Sequence, residues 1–206
     1  MISLKLTETK KFMSQLLLSE LFDHFLFIEG DIVTFNSFHI DGYIQKDFYT
    51  EFPPEELFSA ASSFSGSEAL PEYSYWKQVR EYCFSLIKGK RTPLSFKFVF
   101  RLSPTNIAKL ISKQNLDFQP NTVQGLYLNI QFNEQGLTCV TGTSLNTFTL
   151  DKSLEKAWDG MVQRFLLKMG WRLRLRFSSR WPLSRKRLCT PAQLRRASPT
   201  PIRWIA

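Results

Sequence analysis

The run Phe96-Lys97-Phe98-Val99-Phe100-Arg101 sets three rings on alternate positions, each followed by a residue of another kind, Lys97, Val99 and Arg101. Successive side chains of a strand point to opposite sides of the sheet, so this period of two demands a strand with one buried face. Ser103-Pro104 follows within two residues: Ser suits a helix cap and Pro a first helical turn. Ile107, Ala108, Leu110 and Ile111 then recur at helical spacing. A strand with one oily face, followed at once by a helix with one oily face, requires a layer of sheet packed against a layer of helix.

The same order is read at the N-terminus. Ile2, Leu4 and Leu6 alternate with Ser3, Lys5 and Thr7 as a strand. Thr7 or Thr9 can cap a helix that carries Phe12, Leu16, Leu17 and Leu21 and runs to about Phe22, with Glu8 near its positive end. Phe25-Leu26-Phe27-Ile28 and Ile32-Val33-Thr34-Phe35 flank Glu29-Gly30-Asp31, which reads as a hairpin turn. A turn at Asp41-Gly42 leads to a third strand ending near Tyr49. The later half continues in parallel. Strands are expected at residues 126–132, 137–140 and 147–150, with a turn at Asn133-Glu134-Gln135-Gly136. Two strand–helix–three-strand units, about 1–50 and 94–150, are thus expected to form an α+β fold with an antiparallel sheet of about six strands. Ser74 is read as the cap of an extra helix over about 74–88, and another runs over about 153–168 with Leu154, Trp158, Met161, Val162 and Phe165 on one side. Residues 50–73, rich in Pro, Ser and Ala, read as a surface loop.

Charge divides the chain more sharply than any turn. Residues 1–168 hold 17 Lys plus Arg and 18 Asp plus Glu, a net of −1; residues 169–206 hold ten basic residues and no acid, which accounts for the overall +9. Basic-residue choice changes too, from 13 Lys and 4 Arg to one Lys and nine Arg. One domain is therefore expected over 1–168. The tail 169–206 is expected to be disordered and to come from a frameshift, readthrough or foreign fusion; the alternative is an Arg/Trp-rich arm for RNA, DNA or an anionic membrane surface. Either way it should bind polyanions non-specifically, and removing it should barely change the melting temperature.

Cys83, Cys139 and Cys189 are odd in number and widely spaced, which excludes a disulfide framework and a zinc knuckle. No signal peptide and no run of about 20 apolar residues are read, so a cytoplasmic location is the default. No HExxH, GxGxxG or GxxxxGK[ST] occurs, so neither a metal nor a cofactor is expected.

The stretches Thr34–Phe48, Leu86–Phe96 and Thr141–Ser144 resemble an uncharacterised family of Gram-positive (Firmicutes) gut anaerobes, a domain of unknown function, over residues 1–168. That resemblance carries no site residues. The doubled strand–helix–three-strand unit is similar in architecture to one domain of a DNA sliding clamp. The likeness implies a non-enzymatic scaffold whose helix lysines, here Lys10, Lys11, Lys109 and Lys113, face phosphates. Lys88, Lys90 and Arg91 form the densest basic cluster of the body, which also suits a helix C-terminus. The rival reading is a small hydrolase or ligand-binding protein, in which His39 and Asp41 share one side of a strand and Cys139 or Cys83 supplies a thiol. Either reading leaves the partner open, protein or nucleic acid.

Overall fold

In the computed structural model, which describes residues 1–49, 71–89 and 91–175, the chain runs β1 (Ser3–Leu6), α1 (Thr9–Leu18), β2 (Phe25–Val33), β3 (Ser37–Asp41), α2 (Trp76–Ile87), β4 (Ser95–Leu102), α3 (Pro104–Lys113), β5 (Val123–Asn133), β6 (Gly136–Leu145), α4 (Ser153–Lys168) and β7 (Leu173–Leu175). Single 3-10 turns occupy Glu20–Phe22, Lys46–Tyr49 and Pro120–Thr122. The strands make one antiparallel sheet in the order β3-β2-β4-β5-β6-β1-β7. The α+β class and the antiparallel sheet agree with the sequence reading.

The alternation in β4 does what its period requires. Phe96, Phe98, Phe100 and Leu102 are buried, while Lys97 and Arg101 point to the other side. Their cross-strand partners Ile32, Gly30, Phe27 and Phe25 on β2, and Phe132, Ile130 and Leu128 on β5, continue the apolar face. Leu137 and Cys139 of β6 extend it to Leu6 and Leu4 of β1. The helices cover this face: α1 packs on α2, α3 on α4, α2 on β2 and α4 on β6. Trp76 and Trp158 are fully buried, and each donates its indole N–H to a backbone carbonyl, of Leu16 at 2.9 Å and of Tyr127 at 3.0 Å. Each fully buried ring contributes about 1.5–3 kcal/mol. Arg80 reaches from α2 to Asp23 at 2.9 Å, an almost buried ion pair that ties the 3-10 turn after α1 to the helix layer.

Several expectations are corrected. Glu29-Gly30-Asp31 is no turn but the middle of β2, which bulges between Phe27 and Glu29. A Cβ on Gly30 would stand 2.8 Å from Phe27 Cζ and 2.9 Å from Phe98 Cδ1, so the glycine answers to ring packing, not to chain reversal. Neither third strand forms: Tyr43 keeps only an isolated bridge to Tyr73, and residues 147–150 carry none. Each unit is therefore strand, helix and two strands, and β1 sits beyond β6, remote from β2. Glu8 takes the cap position of α1 without a side-chain capping hydrogen bond, and Tyr75 takes that of α2. Most of the expected 50–73 loop lies outside the described residues.

The boundary at Lys168 also moves. Gly170, at φ +74°, turns the chain back after α4, a left-handed conformation that glycine adopts without strain. Trp171 enters the core at 2% exposure, against Phe12, Phe22 and Phe165. Leu173–Leu175 then pair with β1. Thr7 Oγ1 donates to the Arg172 carbonyl and Lys11 Nζ to that of Gly170. The first residues of the cationic segment are thus part of the packed domain; residues 176–206 lie outside the described residues.

Candidate functional site

His39 and Asp41 lie on the helix-free face of β3, at the edge of the sheet, as their spacing requires. They do not pair with each other. His39 Nδ1 meets Asp31 Oδ1 of β2 at 2.7 Å, and Asp41 Oδ1 accepts the Tyr43 backbone N–H at 2.9 Å. The Asp31 hydrogen bond, aided by the charges of Asp31, Glu29 and Asp41, raises the His39 pKa above its usual 6.5. Sequence reasoning missed Asp31 because it placed that residue in a turn; the true β2–β3 register sets it opposite His39.

The thiols are elsewhere. Cys139 is on β6, four strand spacings from β3, roughly 19 Å at about 4.8 Å each, and faces the helices. Cys83 is buried under α2 on the same helix side. Burial pushes the Cys83 thiol up to about 12 and raises that of Cys139 further. A nucleophilic cysteine needs the opposite, a stabilised thiolate. The sheet therefore separates His39 and Asp41 from both thiols. Among the described residues no group of three His, Cys, Asp or Glu could hold a metal ion, and no helix is long and apolar enough to cross a membrane.

The basic candidates also part company. Lys11 meets Glu8 at 3.6 Å and Lys88 lies over the Phe84 ring, 5.8 Å from its centre. Lys10 and Arg91 are exposed, and Lys90 lies outside the described residues. On the open sheet face Lys97 meets Glu29 at 2.6 Å and Arg101 meets Glu72 at 3.2 Å.

Lys109 and Lys113 belong to α3, and the second of them opens onto something that the sequence reading did not foresee. The α3 apolar face of Ile107, Leu110 and Ile111 packs inward, and Asn115 at φ +47° ends the helix. On α4, Leu154, Trp158, Val162 and Leu166 are buried, one turn apart, which leaves Met161 and Phe165 on the flank toward α3. Between the two helices runs a cleft of about 530 Å³, lined by Leu110, Lys113, Gln114, Met161, Arg164, Phe165 and Lys168. Its floor is apolar and its rim cationic. None of Lys113, Arg164 and Lys168 meets a carboxylate within ion-pair distance among the described residues. Arg164 and Lys168 stand four apart on one helix, where like charges repel by a few tenths of a kcal/mol. That i,i+4 cation pair beside Met161 and Phe165 was the available signal.

Architecture and surface together define a two-layer α+β protein with helices on one side of an antiparallel sheet and a cation-rimmed cleft between two of them. The chain belongs to the family of unknown function DUF5721, whose model matches residues 15–172. The match ends just past Trp171, where packing also extends the domain beyond Lys168. No curated protein and no solved structure matches the chain.

Proposed function

We propose that the protein is a non-catalytic interaction module whose binding surface is the α3–α4 cleft. The observation that carries this reading is the convergence of Lys113, Arg164 and Lys168 on the apolar floor of Leu110, Met161 and Phe165. Apolar surface rimmed by charge marks interaction sites. Two of the cations end their helices and offset the helix dipoles there, but Arg164 is a full turn inside α4 and has no such role. The hydrolase alternative has no comparable support, because His39 and the thiols occupy opposite faces of the sheet. A narrower, clamp-like use would turn Lys10, Lys11, Lys109 and Lys113 together toward nucleic acid. It draws less support, since α1 packs beside α2 and α3 beside α4, and Lys11 is engaged with Glu8 and Gly170.

The test compares affinity capture by the full chain with capture by Arg164→Glu/Lys168→Glu and by His39→Ala/Cys139→Ser, from nuclease-treated extract at raised salt. The reading expects a partner held by the native chain and by the His39/Cys139 variant, and lost by the Arg164/Lys168 variant. Identical capture by all three, or an esterase activity abolished by the His39/Cys139 change, refutes it.

A further inference from the structure

We infer that the occupant of the α3–α4 cleft is an acidic amphipathic helix of a partner protein; this rests on the binding reading above. Two helices lying side by side leave a groove that a third helix can enter with an apolar stripe, the i, i+3, i+4, i+7 anchors of helix-in-groove recognition. The floor offers that stripe Leu110 from one wall and Met161 and Phe165 from the other. The volume of about 530 Å³ suits a few large side chains, not a whole folded surface.

Charge fixes the rest of the ligand. Cations stand on both walls, Lys113 on α3 and Arg164 with Lys168 on α4, so carboxylates are wanted on both sides of the apolar stripe. Arg164 is one of only four arginines before residue 169, and its planar fork matches a carboxylate bidentately. A small anionic amphiphile brings one head group to three separated cations and leaves two of them repelling each other. A nucleic-acid strand neutralises the cations, but its bases would find only the Phe165 ring to stack on, and that ring is already packed against Phe22, Phe25 and Trp171. A helix with Asp or Glu beside Leu, Ile or Phe satisfies floor and rim together.

The probe is a displayed library of random peptides, panned on the full chain in the presence of a single-stranded oligonucleotide competitor. The consensus peptide is then synthesised and its affinity measured by fluorescence anisotropy. Enriched sequences should be acidic, with apolar residues at helical spacing. Arg164→Glu/Lys168→Glu should weaken binding of the consensus peptide at least about tenfold, and Arg164→Gln/Lys168→Gln should weaken it less. Lys97→Glu, on the opposite sheet face, should change it less than about twofold; this control also separates the cleft from the basic C-terminal segment, which all variants keep. Thermal melts confirm that each variant folds. Enrichment of basic or aperiodic peptides overturns the inference. So does an oligonucleotide that binds the native chain and loses affinity in the Arg164/Lys168 variants, but that outcome keeps the cleft as a binding surface. Indifference of every ligand to Arg164 and Lys168 overturns both readings.

Discussion

Trp171 stacks on Phe22, ring centres 6.3 Å apart and planes 18° from parallel, which brings the start of the cationic segment onto the turn that follows α1. Phe12, at 4.7 Å, and Phe165, at 6.4 Å, enclose the same indole. Charge counting alone puts this residue in a tail; its surroundings put it in the core.

Replacing Trp171 with Ala should therefore destabilise the protein by about 3–5 kcal/mol, the usual cost of emptying a buried Trp site. The indole N–H has no hydrogen-bond partner among the described residues, which places the loss toward the lower end. A chain of this length should lose about 6–20 °C in melting temperature. Truncation after Lys168 removes β7 as well and should cost more than the substitution, contrary to the small effect expected from composition. A truncated chain that melts within a degree of full length would show that the indole packing contributes nothing.

Gly30 provides a sharper test of the corrected strand. If it were in a hairpin turn, Ala would be tolerated or would strain only the backbone. In β2 its missing Cβ leaves room for Phe27 and Phe98, both fully buried and unable to retreat. Gly30→Ala should cost about 1–3 kcal/mol through overpacking. Phe98→Leu, which shortens one of the two opposing side chains, should recover part of that loss in the double variant. Additive destabilisation in a chemical-denaturation cycle would rule out the ring contact as the cause.

These two residues mark where the sequence was legible and where it was not. The Phe96–Phe100 alternation and the Ser103-Pro104 helix start are local patterns, and β4 and α3 follow them closely. Gly30 looks like turn chemistry locally; its role is set by a ring 68 positions away in sequence, which no short window contains. The third strands failed for a related reason: Tyr43 and Thr147–Leu150 have strand-forming residues but no ladder to join. At the cleft, Met161 and Phe165 read correctly as apolar positions of α4, yet the Arg164 and Lys168 pair beside them drew no reading at all. Only the approach of α3 turns that pair into a rim.

The two described thiols should be inert in the native protein. Both side chains are buried and both pKa values are raised, Cys83 to about 12, so thiolate is scarce at neutral pH. Cys189 lies outside the described residues, so the measurement calls for a Cys189→Ser background. An aromatic disulfide reagent at pH 8 should then react only as fast as the protein opens, and rapidly in denaturant. Prompt stoichiometric labelling without denaturant would contradict the burial of Cys83 or Cys139.

His39 should titrate above its ordinary value because protonation strengthens its hydrogen bond to Asp31, with Glu29 and Asp41 adding favourable charge. A raised native pKa means that the native state holds this proton more tightly than the unfolded chain. The associated stability is fully present below the unfolded value of about 6.5 and is lost as pH rises through the native one. The side chains are largely exposed, so salt screens the effect and the stability change should be small. The midpoint of the His39 ring protons by NMR is the direct measure. Asp31→Asn should lower that midpoint clearly, and Asp41→Asn should lower it less, since Asp41 adds only a distant charge. Equal shifts from the two variants would mean that the edge-strand pairing of His39 with Asp31 does not persist in solution.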